Sequence, residues 1–274
     1  MKNAPNSKVN LDKAIQRFAG DILRSNQLRN LMANSIVAQM IDDGVVKGGS
    51  GLKFRYGEKV TRVTLDLDTA CSTGLDEFLK SLKVQLAEGW NGFSGEVVVC
   101  RQASPRGIPF EYVMQPCDVK LSYRGKSWYT VQLEVGHNEI GDADVYDMVE
   151  VPDVLAELFA FLGLPKPSPI RAMRLEYQIA QKLHGVSAPN SKRVHDLIDL
   201  QLIMTSAQID IILVSQLCRR LFRYRRCQTW PPHVVKGESW DEAYENQKGD
   251  LPVLPMVDEA ITWVNDLIEM IDKA

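Results

Sequence analysis

Asp66 and Asp68 alternate with leucines in the stretch RVTLDLDT, residues 62–69, a short way after the run KGGSGL at 47–52. The alternation predicts a strand. Residues two apart in a strand share a face, so Thr64, Asp66 and Asp68 are expected on one side, with Val63, Leu65 and Leu67 in the core. Two carboxylates side by side repel unless a cation sits with them. Hard oxygen ligands of this kind suit Mg²⁺, which typically takes one or two carboxylates plus substrate phosphates. The Gly48-Gly49-Ser50 turn can bring backbone N–H groups and a hydroxyl against a phosphate at a helix start. Each piece alone is commonplace, a DxD as a solvated edge and a GGS as a plain turn. Their order (glycine turn, short helix, DxD strand) points to an enzyme that holds a nucleoside triphosphate and its metals.

The elements that must position these residues follow from periodicity. Asn10 is placed to cap a first helix from about Leu11, and a second helix spans about Leu28 to Ile41, with Gly44 as its C-cap. Val45-Val46 reads as a short strand entering the glycine turn, and GLKFRYG as a short helix leaving it. An amphipathic helix at 74–88, with Thr73 as cap, precedes three strands, GEVVVCRQ, CDVKLSYR and SWYTVQLEV, the last two joined by a hairpin turn at Arg124-Gly125-Lys126. From about Pro152 the pattern becomes helical. The reading is an α+β chain: a mixed α/β region at 1–150 followed by a helical region at 151–274.

Composition narrows the possibilities. The 274 residues are 45% hydrophobic and 24% charged, with a net charge of −3, which gives no global attraction to nucleic acid. Five scattered cysteines and four dispersed histidines show no CxxC or HExxH spacing, against a disulfide framework or a zinc site. No apolar run has membrane-spanning length and the first residues lack a signal-peptide core, so a cytoplasmic protein is expected. Neither a GxSxG elbow nor a GxxxxGK[ST] loop is present.

In the helical half, a helix started by Ser168-Pro169 would place Ala172, Leu175, Ile179 and Lys182 on one face. A lysine on such a stripe usually reaches past it to solvent. The next helix carries Asp196 and Asp199 at i and i+3, neighbours on one surface and also simply favourable near a helix start. Further on, in a helix expected over residues 206–227, Arg219, Arg223 and Arg226 fall along one side with Phe222, Tyr224 and Trp230 interleaved. Guanidiniums with aromatic neighbours suit phosphate contact and base stacking, although cations also favour a helix C-terminus.

Four of these segments, in this order, resemble the AbiEii-type nucleotidyltransferase toxins, which share the DNA polymerase β-like catalytic fold. The family turn KGG[ST]xL is matched by Lys47, Gly48, Gly49, Ser50 and Leu52, and R-x-[ST]-x-D-x-D by Arg62, Thr64, Asp66 and Asp68. The family's EKLHAL appears as QKLHGV from Gln181 to Val186, and R-x-K-D-x-x-D as KRVHDLIDL from Lys192 to Leu200. The departures are Gln181, Gly185 and His195. The resemblance implies that Lys47, Gly48, Gly49, Ser50 and Thr64 hold the nucleotide and that Asp66 and Asp68 bind two Mg²⁺ ions. One ion would activate the attacking hydroxyl, the other would steady the pyrophosphate. It also implies a third carboxylate, for which Glu134 is favoured over Asp118. Lys182 would contact phosphate, and Asp196 would act as catalytic base or orient Lys182, with Asp199 structural. By the same resemblance the acceptor is RNA, expected to be the tRNA acceptor end, touched by Arg219, Arg223 and Arg226. The toxin would be restrained by a cognate antitoxin. A protein side chain as acceptor, or a non-catalytic partner-binding module, are the alternatives.

Overall fold

The computed structural model describes residues 3–103 and 112–274. Its elements in chain order are α1 (Lys8–Ala19), α2 (Ile22–Ala38), β1 (Gly44–Val46), α3 (Gly48–Tyr56), β2 (Leu67–Cys71), α4 (Leu75–Glu88), β3 (Phe93–Val99), β4 (Gln115–Tyr123), β5 (Lys126–Gly136) and β6 (Tyr146–Val149). Then come α5 (Asp153–Phe161), β7 (Ile170–Met173), α6 (Leu175–Val186), α7 (His195–Ser206), α8 (Ile211–Arg225), α9 (Trp240–Lys248) and α10 (Val257–Asp272). The strands form one mixed sheet in the order β3-β4-β5-β2-β1-β7-β6. The chain is therefore α+β, as its patterning indicates.

Both faces of the sheet are covered at β1, β2 and β7, while β3 to β5 leave residues such as Glu96, Lys120 and Gln132 exposed on one face. Val46, Leu67, Cys71 and Ile170 join a core with α1, α2, α4 and α5, while their neighbours Val45, Ala70 and Met173 join a second core with α6 to α10. That alternation is the period-two geometry of strands with an apolar layer on each side. The β4–β5 hairpin turns through Arg124 and Gly125, at φ 47° and 73°, which suits the twist of the flanking strands.

Several local expectations change. Ser7, not Asn10, caps α1 by accepting the Asn10 N–H, and Gly44 opens β1 instead of closing α2. Gly74, not Thr73, is the cap of α4. The helix α8 is shorter than expected and is capped by the Asp210 side chain. The stretch after Ser168-Pro169 is not the start of a helix: Ile170–Met173 is a strand, parallel to β1 with Val46 opposite Ala172 and antiparallel to β6. Ile170, Ala172 and Met173 are buried and Arg171 is exposed, and so short a segment is too brief for its period to tell strand from helix.

The largest departure is at residues 62–66. Only Leu67 onward pairs in the sheet, and Val63 and Leu65, expected inside, are 75% and 60% exposed. Residues 62–66 do not pair with β5, which runs on from Leu133 back to Lys126, and on the other side β1 gives out. That strand stops at Val46, and the chain then turns into α3, so the ladder on that side of β2 ends at the Lys47 N–H to Asp68 carbonyl bond of 2.9 Å.

Candidate active site

Gly48 opens α3 at φ +60°, a left-handed conformation suited to glycine. A Cβ on Gly48 would lie 2.1 Å from Asp68 Oδ2, and one on Gly49 2.3 Å from Thr64 Oγ1. The two glycines thus let the turn lie directly against the residues of the DxD segment. No side chain caps the start of α3, which leaves its first N–H groups available to an anion. Ser50 faces the other way. Its buried hydroxyl donates to the Asp66 carbonyl and accepts the Asp68 N–H at 3.4 Å.

Asp68 lies in register with Glu134 across the parallel β2–β5 pair, so the two carboxylates are sheet neighbours. Asp118 sits one strand further out, opposite Gln132. Burial pushes the Asp68 carboxyl above the usual carboxylate range, against the pull of Lys47 and Lys182. Burial also raises Glu134, and the charges of Asp68 and Asp66 raise it further. This shelf holds more negative charge than its one buried lysine, Lys47, can answer.

Lys182, on α6, is 4% exposed and does not reach solvent. Its Nζ donates to Asp196 Oδ1 at 3.1 Å and to Asp199 Oδ2 at 2.6 Å, both on α7. Arg62 Nε bridges both oxygens of Asp199 at 3.1 and 3.2 Å, and Arg193 Nε meets Asp196 Oδ2 at 2.6 Å. Burial alone would push Asp196 and Asp199 up. Arg193 and Lys182 overcome it for Asp196, and Lys182 and Arg62 for Asp199, so both carboxyls are held below the ordinary range. Desolvation drives His195 down to about 4, so it is neutral beside this cluster at physiological pH.

Lys47, Gly48, Gly49, Thr64, Asp66, Asp68, Glu134 and Lys182 all line one cavity of about 500 Å³. Arg62, Arg193, Gln178, Glu139 and Arg225 share its wall. Their roles were not read from the sequence. Arg193 precedes Asp196 by three residues, a spacing that could have signalled the pair. Arg225 carries no such sign, because its partner Glu139, bound through Nη2 at 2.6 Å and Nε at 2.9 Å, lies far away in sequence. The departures also find reasons. Gln181 Nε2 donates to the buried Asp142 at 2.5 Å, where a glutamate would repel, and a Cβ on Gly185 would lie 2.6 Å from Arg193 Nε.

Arg219, Arg223 and Arg226 line a separate cleft with Phe222 and Trp230. Arg219 is tied to Asp272 at 2.7 Å, and Trp230 Nε1 donates to the same carboxylate at 2.8 Å.

Among the described residues no group of three His, Cys, Asp or Glu side chains is gathered closely enough to hold a metal unaided. Magnesium at nucleotide sites needs only one or two protein carboxylates and completes its shell with phosphate oxygens and water. The shelf of Asp66, Asp68 and Glu134 fits that demand: its donors are all hard oxygen, and the charges of Asp66 and Asp68 add to the burial that raises Glu134.

A mixed sheet that sets paired carboxylates beside a glycine turn at a helix start defines a nucleotidyltransferase fold. The family model for the nucleotidyl transferase AbiEii toxin of type IV toxin–antitoxin systems matches residues 30–264, and the chain belongs to that family. Among solved structures it is similar to MenT4, a nucleotidyltransferase toxin from Mycobacterium tuberculosis H37Rv, at 16% identity and TM-score 0.54, covering 96% of this chain and 98% of that one. A putative nucleotidyltransferase from H. pylori aligns at 15% identity and TM-score 0.47, over 90% of this chain and 95% of that one. No curated protein matches the chain. Among the described residues no helix is long and apolar enough to cross a membrane.

Proposed function

We propose that the protein transfers a nucleoside monophosphate from an NTP to an RNA acceptor, the tRNA end being the expected target. It would act as a cytoplasmic toxin neutralised by a cognate antitoxin. The observation that carries this reading is the shared cavity in which the glycine turn, Asp66, Asp68, Glu134 and Lys182 meet.

The start of α3 receives the triphosphate, because uncapped N–H groups and the helix dipole both favour an anion there. Lys182 offers its ammonium to the phosphates from the α6 side. Asp196 and Asp199 fix its direction, and this is the role proposed for Asp196: a fully buried carboxylate with a depressed pKa is a poor proton acceptor. Asp66, Asp68 and Glu134 are the carboxylates that would hold magnesium together with the phosphates, and the ion would supply charge neutralisation and activation of the attacking hydroxyl. Ser50 keeps Asp66 and Asp68 at their places through the backbone. Arg219, Arg223, Arg226 and Trp230 provide cations and an aromatic face for the acceptor strand.

The test is incubation of the purified protein with total RNA, each labelled NTP in turn, and Mg²⁺. Label in RNA that disappears with EDTA and with Asp66→Ala is the expected result. Label in protein bands would move the acceptor to a side chain, and no label from any NTP would refute the transfer reaction.

A further inference from the structure

The segment before β2 is unpaired in the sheet, yet three consecutive carbonyls in it are each held by a side chain. Lys53 Nζ, on α3, donates to the Thr64 carbonyl. Asn30 and Asn34, one turn apart on α2, both donate to the Leu65 carbonyl, at 2.9 and 3.2 Å. Ser50 completes the series at Asp66. Asn30, Asn34 and Lys53 are at most 9% exposed, and helix interiors seldom bury such groups without a partner that needs them. The bond to the Thr64 carbonyl is buried and those to Leu65 and Asp66 are partly buried, so side chains here do what a neighbouring strand would do.

The geometry points to Asn30, Asn34 and Lys53 as positioning residues that set the Asp66 carboxylate for metal binding without touching metal or substrate. They lie on two helices that both bond the segment, and none of the three lines the cavity that Thr64 and Asp66 line. Fixing the backbone one and two residues before Asp66 fixes where its carboxylate can point. A catalytic group must be held within a fraction of an ångström by such supports. The assignment rests on the proposed nucleotidyl transfer for its functional meaning, but its structural content can be tested separately.

Asn34→Leu and Lys53→Met keep side-chain bulk and remove one donor each, from different helices. Three quantities are measured in each variant: amide exchange of residues 62–68 in the protein alone, Mn²⁺ affinity by electron paramagnetic resonance, and the Mg²⁺ concentration at half-maximal transfer. Loss of one hydrogen bond predicts about fivefold faster local exchange and about fivefold weaker Mn²⁺ and Mg²⁺ dependence for Asn34→Leu, and more for Lys53→Met, whose donor is charged. The NTP KM is expected to move less. Variants that melt earlier but keep wild-type exchange at 62–68 and wild-type Mn²⁺ affinity would overturn the assignment. Wild-type protein that transfers nothing would refute the proposed reaction, and the exchange and Mn²⁺ measurements would still decide the clamp.

Discussion

Two groups of charges face each other across the cavity, and they are opposite in kind. On the sheet side, Asp68 and Glu134 are raised by burial, Asp66 adds to both and Asp68 to Glu134, and the cations near them, Lys47 first, do not offset the rise. On the helical side, Asp196 and Asp199 are buried more completely and yet depressed, because Lys182, Arg62 and Arg193 bind them directly. Depth of burial is therefore not what separates them. A carboxylate whose charge is answered within the chain serves structure and orientation. One whose charge is unanswered is a place for something from outside.

That contrast gives its largest effect at Asp68. Asp68→Asn keeps the shape and removes the charge, and transfer measured with labelled NTP is expected to fall by about 10³-fold or more, several kcal/mol of transition-state stabilisation. The stability effect has the opposite sign. Because the folded-state pKa is raised, the ionised form weakens the fold above the unfolded pKa, so the asparagine variant should melt no earlier than wild type at pH 7, as calorimetry would show. A clear drop in melting temperature would mean that the shelf is internally compensated after all.

On the helical side the order reverses. Asp199→Asn strands Lys182 and Arg62 beside a neutral group, and chemical denaturation should show a loss of about 3–5 kcal/mol, the usual cost of breaking a buried pair from one side. Lys182→Met is the intermediate case, since each aspartate keeps one arginine. Transfer should fall by about 10²-fold, with weaker NTP binding in a filter assay and a smaller stability loss than Asp199→Asn. The smallest effect concerns acid. His184 is buried against Phe222 and Arg225, and desolvation lowers its pKa to about 3. The unfolded chain takes up this proton from about pH 6.5 downward and the folded chain does not, so stability is lost as pH falls through that window. Between pH 6.5 and 5 this amounts to about 1–2 kcal/mol, and His184→Gln should flatten the melting-temperature profile there by that much.

The sequence exposed those features that depend on local spacing. The glycine turn, the DxD segment, the helix bearing Asp196 and Asp199 and the hairpin after β4 could be read because neighbours along the chain are neighbours in space. What escaped was decided at a distance. Residues 62–66 alternate as a strand does, but β1 leaves the sheet at Val46, which ends the ladder on one side, and they do not pair with β5 on the other. Ile170–Met173 is too short for its pattern to decide and becomes β7 because β1 and β6 flank it. The Glu139–Arg225 pair and the carbonyl clamp at Thr64 and Leu65 join elements that no sequence window contains.

The parallel pairing of β1 with β7 also works as a counting device. Both strands lead at once into a helix, α3 after Val46 and α6 after Met173, so the stations of Gly48 and Lys182 are measured from one shared rung, Val46 opposite Ala172. A single residue inserted near Arg174 would turn every later side chain of α6 by about 100° and advance it by about 1.5 Å. The ammonium would swing off the cavity although no functional group had changed. Length between that rung and residue 182 is thus as strictly fixed as the identity of the lysine itself.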